Sequence, residues 1–203
     1  MNSDDGHEIV RRARSAFFAG KPSDAWMLIH TEADRLKAAS NQMYREALEQ
    51  ISVDLAAFLG PSEIPQITEL DLTRRGILDK HMPLLGRLIS IKKLNLGFNE
   101  ITDAGLPHLG ALVFLEDLNL QNDTTITDEG VKYLAALTSL SVLDLRDTRL
   151  SNQGLNHLLG LRSLTHLYAS HTTVTAQGAQ DFKSKWSGLN RLPKPTVQPT
   201  VHL

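Results

Sequence analysis

The sequence predicts an α/β solenoid of about five stacked repeats, because the same pattern recurs between residues 67 and 188. The repeat length is 24 or 25 residues, apolar residues recur in register, and a glycine recurs at one position of the last four units. A single unit buries too little apolar surface to offset the entropy of ordering its chain, so neighbouring units must share a core. The units are 67–90, 91–114, 115–139, 140–163 and 164–188.

The first half of each unit has the pattern of a β-strand. Leu94 and Leu96 stand two residues apart, so their side chains leave an extended strand on the same side. One such strand in every unit predicts a single parallel sheet. The equivalent pairs are Leu70 and Leu72, Leu118 and Leu120, Leu143 and Leu145, and Leu167 and Ala169.

The second half of each unit predicts a short helix. Ile101, Leu106 and Leu109 have helical spacing, and Thr102 with Asp103 supplies side-chain oxygens that can cap the helix start. Thr127 with Asp128 and Ser151 with Asn152 repeat this pair.

A glycine follows each cap, and its missing side chain should let adjacent repeats approach closely. Repeat one departs from this pattern, since His81 stands at the glycine position. The glycines are Gly105, Gly130, Gly154 and Gly178.

The pattern LxxLxL followed by ITDxGL resembles the cysteine-containing subfamily of leucine-rich repeats, which is known from F-box substrate receptors and from many bacterial proteins. Thr, Asn or Arg stand here where that subfamily often has cysteine, as in a bacterial variant. The resemblance covers residues 67–188 and implies a leucine-rich repeat solenoid. It also implies a right-handed β-α superhelix with a concave parallel sheet, a convex helical side and a protein partner bound at the concave face.

Residues 1–62 predict an α-helical N-terminal cap of three helices, because apolar residues recur there at helical spacing. The stretch 16–29 is similar to the turn of a tetratricopeptide hairpin. A cap is expected because an open solenoid end exposes apolar core. The alternative is a second peptide-binding or dimerising surface.

The repeats are assigned to residues 63–188, and residues 189–203 form a proline-rich C-terminal tail. Phe182 and Trp186, four residues apart, are expected to cover the last core layer. The tail has no helical period and is expected to be extended or disordered, with a proline-rich ligand motif as the alternative.

Composition excludes several classes of protein. The chain has no cysteine, which excludes disulfides, thiolate metal sites and cysteine nucleophiles. A net charge of −2 gives no reason to expect a nucleic acid partner. No secretory signal and no apolar stretch of about 18–20 residues is present, so we expect a cytoplasmic protein without a membrane span.

The sequence contains no constellation typical of an enzyme. His108 and His157 occupy one repeat position two units apart, roughly 10 Å at best, too far to share a metal ion. Ser151 is explained as a helix cap, and no glycine-rich phosphate loop is present. We therefore predict a protein that is not an enzyme and has no cofactor.

The outward strand positions of the first three repeats carry charges of both signs. Lys93 is expected between Glu69 and Asp117, and Lys92 beside Glu116. Opposite charges on neighbouring strands can neutralise one another, so this part of the face is not the predicted site.

The candidate protein-binding site lies in repeats four and five, where charge is mixed with an aromatic residue. Tyr and Arg are over-represented among binding hot spots. The rival interpretation places the binding surface on the helical cap. The candidate residues are Asp144, Arg146, His166, Tyr168 and His171, with Phe98 as an exposed strand-exit residue in repeat two.

These observations favour a protein-interaction scaffold that binds a protein partner through the leucine-rich repeat face. The alternative is the targeting or substrate-recognition subunit of a regulatory complex, such as a ubiquitin-ligase receptor or an effector. A receptor would need an LP-containing F-box helix ahead of the repeats, and residues 1–60 lack that pattern. An enzyme is the third and last alternative.

Overall fold

The computed structural model describes residues 68–189 and 199–203, together with Arg12 and Ser15. The chain divides into two compact units, Met1–Leu70 and Asp71–Leu203, and nearly all described residues belong to the second. The predicted helical cap over residues 1–62 and residues 190–198 of the tail lie outside the described residues, apart from Arg12 and Ser15.

Each repeat contributes one strand of three residues and a short helical segment. The strands are β1 (Glu69–Asp71), β2 (Lys93–Asn95), β3 (Asp117–Asn119), β4 (Val142–Asp144), β5 (His166–Tyr168) and β6 (Thr200–His202). The α-helices are α1 (Met82–Leu85), α2 (Asp128–Val131), α3 (Gly154–His157) and α4 (Ala176–Gly188). The 3-10 helices are Asp79–His81, Leu106–Ala111, Lys132–Ala136 and Leu158–Gly160.

The strands lie in chain order in one open six-stranded sheet, and β2 to β6 are parallel. The first leucine of each strand-forming pair is in register across the sheet. The predicted α/β leucine-rich repeat solenoid is thus confirmed. The row is Leu94, Leu118, Leu143, Leu167 and Val201.

The core lies between the sheet and the helical segments. Leu120 on the strand side and Leu134 on the helical side are both fully buried, and their equivalents in neighbouring repeats repeat this burial. Because each layer rests on the next, the apolar surface of one repeat is removed from water by its neighbours.

The aspartate of the ITDxG pattern joins adjacent repeats. Asp103 accepts the Thr127 N–H at 2.8 Å through Oδ1 and the Thr127 hydroxyl at 2.6 Å through Oδ2. The Thr127 hydroxyl accepts the Glu129 N–H at 3.2 Å and is therefore the cap of its own helix. The predicted hydroxyl cap is confirmed, whereas the carboxylate binds the following repeat. The same joint links Asp79 to Thr102, Asp128 to Ser151, and Asn152 to Thr175.

These joints explain the recurring glycine. A Cβ on Gly130 would overlap Asp103 Oδ1 and lie 2.8 Å from Leu106 Cδ1. A Cβ on Gly105 would lie 2.6 Å from Asp79 Oδ1. The sequence predicted that adjacent repeats approach closely at these glycines. In the structure, the carboxylate of the preceding repeat occupies the space that a side chain at the glycine would take.

His81 replaces this joint in repeat one. Its Nδ1 accepts the Leu78 N–H at 2.9 Å, and the side chain is buried. In the second repeat, the equivalent N–H of Thr102 is bound by Asp79 of the repeat before it. In repeat one, a histidine of the same repeat thus accepts the backbone N–H that, in repeat two, an aspartate of the preceding repeat accepts.

The C-terminal end of the array is closed by α4 and β6. Phe182 and Trp186 are buried, as predicted, and Trp186 Nε1 donates to the Leu161 carbonyl at 3.3 Å. Within the tail, residues 199–203 add strand β6 to the sheet: the Thr200 N–H binds the Thr165 carbonyl at 2.7 Å.

Candidate functional site

The candidate site is the outward face of β4, β5 and β6, together with Arg146, which lies two residues after the end of β4. We call Arg146, His166, Tyr168 and His202, with Asp144 beneath Arg146, the C-terminal sheet face. Leu167 is buried and its register partner Val201 is half-buried, so the residues on either side of them point outward. The strand alternation thus brings residues from repeats four and five and from the tail strand β6 onto one surface.

Three aromatic rings stack on this face. The Tyr168 and His202 ring centroids are 4.5 Å apart with an interplanar angle of 13°, because the two residues pair in register. His166 stacks on His202 at 5.9 Å and lies 6.4 Å from Tyr168. His166 and His202 are exposed and Tyr168 is half-buried. The stack is a flat platform with an accessible outer surface.

Arg146 borders the platform on the β4 side. Its guanidinium carbon lies 5.5 Å from the Tyr168 centroid, and Nη2 binds Asp144 Oδ2 at 2.6 Å. Hydrogen bonding to Asp144 raises the pKa of the Arg146 guanidinium, so its charge is permanent. The Asp144 side chain is only 10% exposed. Asp144 therefore positions Arg146 and offers little surface of its own.

His171 joins the site through a polar chain. His171 Nδ1 lies 3.0 Å from Asp147 Oδ1, and Asp147 Oδ2 accepts from Gln121 Nε2 at 3.3 Å. Gln121 Oε1 in turn accepts from Arg146 Nη2 at 3.1 Å. His171 thus borders the face at a turn, whereas His166 flanks Tyr168 directly.

Phe98 lies apart from these residues, in repeat two. It is half-buried beneath the Arg74 guanidinium, whose carbon is 4.5 Å from the ring centroid. Its φ of 60° is left-handed, which is uncommon for a bulky residue. The same turn position is left-handed in all five repeats, so the strain belongs to the repeat geometry. The other four residues are Arg74, Asn122, Asp147 and His171.

The second and third repeats carry paired charges on the same face. Lys92 Nζ binds Glu116 Oε1 at 2.9 Å, as predicted. Lys93 stands in register with Asp117, as predicted. Burial raises the pKa of Asp117 more than the charge of Lys93 lowers it. Because opposite charges neutralise one another here, this part of the face differs from the exposed aromatic stack.

Within residues 68–189 and 199–203, no group of three or more His, Asp or Glu side chains could hold a metal ion. His108 and His157 are exposed. No helix in this described part of the chain is long and apolar enough to cross a membrane.

Sequence reasoning missed His202, Gln121 and Asp147. The only signal for His202 was the alternation of Thr200, Val201 and His202 after the prolines, which places Val201 inward and His202 outward on a strand. Gln121 and Asp147 stand at positions where the other repeats carry unrelated residues, so no recurrence marks them.

One family model and several solved structures are similar to this chain. Residues 88–106 match the Leucine Rich repeat family model. Among solved structures, internalin C2 from Listeria monocytogenes is 23% identical with a TM-score of 0.46, covering 65% of this chain and 51% of that one. A leucine-rich repeat protein from Leptospira interrogans is 20% identical with a TM-score of 0.43, covering 60% and 27%.

The leucine-rich repeat ectodomain of an Arabidopsis thaliana receptor kinase is 26% identical with a TM-score of 0.37, covering 46% of this chain and 51% of that one. This chain therefore spans between about a quarter and a half of these structures. No curated protein matches the sequence significantly.

Proposed function

We propose that this chain is a non-catalytic protein-interaction module that binds a protein partner through the C-terminal sheet face. The observation that carries the proposal is the exposed stack of Tyr168, His202 and His166, with Arg146 fixed at its border. Aromatic residues and arginine contribute most of the energy at many protein interfaces.

The rigidity of these side chains supports the proposal. Arg146 is held by Asp144 and Gln121, and Tyr168 is held between Arg146 and His202. Side chains that are ordered before binding lose less conformational entropy on contact with a partner. On the same face, the paired charges of repeats two and three form no such aromatic stack.

We further propose a cytoplasmic protein whose repeats are the bacterial variant of the cysteine-containing subfamily. The ITDxG motif supports the subfamily, because Asp, Thr and Gly form one joint between repeats. A helical cap over residues 1–62 rests on residues outside the described part of the chain. The alternative function is that of a targeting or substrate-recognition subunit of a regulatory complex, with the same repeats as its recognition half.

The test is a double substitution, Arg146→Ala with Tyr168→Ala. The partner is first identified by affinity capture and mass spectrometry, and its Kd is then measured with each variant. We expect the double substitution to weaken binding by at least about 2 kcal/mol, roughly 30-fold, because two hot-spot side chains are removed. His202→Ala should give a smaller loss.

The chain offers a matched control on its helical side. Lys132 Nζ lies 5.2 Å from the Tyr133 centroid, so Lys132→Ala with Tyr133→Ala removes a similar cation–aromatic pair. This control should bind as the parent does. Unchanged binding by the Arg146 and Tyr168 variant, with its circular dichroism intact, would refute the proposed site.

A further inference from the structure

Asp123 is a buried carboxyl group with one unsatisfied oxygen. Asp123 is fully buried, with 0% of its surface exposed, and its Oδ1 accepts the Ile101 N–H at 3.1 Å. Oδ2 is buried without a hydrogen-bond partner. A buried ionised carboxylate with a free oxygen is costly, because it has lost its hydration without replacing it.

The equivalent residues of other repeats show which bond is missing. In repeats two, four and five, the side chain of the equivalent residue donates a hydrogen bond to the carbonyl three residues before it. Asn99 Nδ2 donates to the Leu96 carbonyl at 2.5 Å. Thr148 Oγ1 donates to Leu145 at 2.7 Å, and Thr172 Oγ1 donates to Ala169 at 2.6 Å.

Asp123 matches Asn99 most closely. Asn99 Oδ1 accepts the N–H groups of Arg75 and Ile77, as Asp123 Oδ1 accepts that of Ile101 one repeat later. The remaining atom of Asn99 is the Nδ2 donor, and the remaining atom of Asp123 is Oδ2. An aspartate oxygen donates only when it carries a proton.

We infer that Asp123 is a proton switch between repeats two and three: as the neutral acid it donates from Oδ2 to the Leu120 carbonyl, and on ionisation this bond is lost. The Leu120 carbonyl is the acceptor three residues before Asp123, as Leu96 is for Asn99. Loss of the proton removes this bond and leaves a buried, charged oxygen without a donor, which loosens the junction.

The electrostatics around Asp123 agree with this arrangement. Burial raises the pKa of Asp123 to about 7, although hydrogen bonds from the backbone of Ile101 and Asn99 oppose the rise. Asp79 adds to it by charge repulsion from repeat one. The equivalent positions of repeats two and four hold the neutral side chains of Asn99 and Thr148.

The direction of the pH effect follows from these values. The folded-state pKa lies above the value of 3.8 expected for the unfolded chain, so the folded state binds the proton more tightly. Stability from Asp123 is therefore greatest below about pH 4 and is lost as pH rises to about 7. A difference of about three pKa units corresponds to about a thousand-fold change in the folding equilibrium.

The test compares Asp123→Asn with the parent protein across pH. Asparagine supplies a permanent donor, so the variant should equal the parent near pH 4 and become progressively more stable than it up to about pH 8. Urea unfolding of the full chain measures the ratio of the two equilibrium constants at each pH. A ratio that does not change with pH would overturn the inference.

Two further variants isolate the effect. Asn99→Asp should create the same loss of stability with rising pH in the neighbouring repeat. Asp181→Asn removes an exposed carboxylate from α4 and controls for the loss of one charge.

A carbon-detected NMR titration of the Asp123 carboxyl in the parent protein needs no variant. A midpoint near 7 supports the switch, whereas a midpoint near 3.8 contradicts it.

Discussion

Gly130 and Asp103 form a functional pair at the scale of single residues. The carboxylate needs the space beside Gly130 to reach Thr127, and the glycine has no other close contact that forbids a side chain except Leu106. The glycine therefore serves a hydrogen bond made by a residue of the preceding repeat. Its role is steric, since its backbone φ is ordinary.

Gly130→Ala should lower the free energy of unfolding by about 1–3 kcal/mol, because the new methyl group displaces Asp103 or Leu106. Urea denaturation measures the change. Gly188→Ala is the matched control, because nothing lies within 4 Å of the position that its new methyl group would take. A Gly130 variant as stable as this control would contradict the steric account.

At the scale of elements, a helical segment is anchored from the repeat before it. Thr102 and Thr127 each bind an aspartate of the preceding repeat through both N–H and hydroxyl. Repeat one has Leu78 at the threonine position and takes its acceptor from His81. The start of the first helical segment is thus specified by one imidazole.

His81→Ala should destabilise the array by about 1–3 kcal/mol, since the part-buried Leu78 N–H loses its acceptor. Thermal unfolding at pH 8 checks this expectation. His108→Ala, on the exposed side of the Leu106–Ala111 helix, serves as the control and should be nearly neutral. Equal stability of the two variants would remove His81 from this role.

At the scale of the whole array, the C-terminal end uses different chemistry from the joints. Ala176 stands where earlier repeats carry Asp or Asn, so α4 offers no acceptor for a following repeat. Phe182 and Trp186 cover the last core layer, and β6 pairs with β5. At this end, two buried aromatic residues and an added strand thus replace the side-chain joint that links the other repeats.

Trp186→Ala should lower the free energy of unfolding of the repeat array by about 3–5 kcal/mol, because a side chain that is 1% exposed leaves a large cavity. Denaturant unfolding followed by circular dichroism gives the value. Trp186→Phe keeps most of the apolar volume and should lose much less. Similar losses for both substitutions would show that volume is not the cause.

The repeat frame could be predicted from sequence because its determinants recur. Leu94, Leu118 and Leu143 report one strand position three times, and the structure places them in register. The platform could be predicted only in part. Arg146, His166 and Tyr168 follow from the strand alternation, and they lie together as expected.

Residues used once could not be predicted in this way. His202 belongs to a strand without a repeat of its own, and its stacking on Tyr168 depends on the pairing of β6 with β5. Asp123 reads as an ordinary polar turn residue in the sequence. Its significance comes from the burial of its carboxyl group and the unsatisfied Oδ2, which only the packed repeats create.

In each aspartate joint between repeats, the acceptor belongs to one repeat and the donor to the next. This order determines how such a chain could be lengthened. Asp103 and its donor Thr127 lie within one continuous stretch, 103–127, although they belong to two sequence repeats. A tandem copy of that stretch would bring both halves of a joint with it and offer an unchanged aspartate to the next segment. Internal duplication of this stretch therefore preserves the aspartate–threonine joint, whereas growth beyond Ala176 requires a new acceptor.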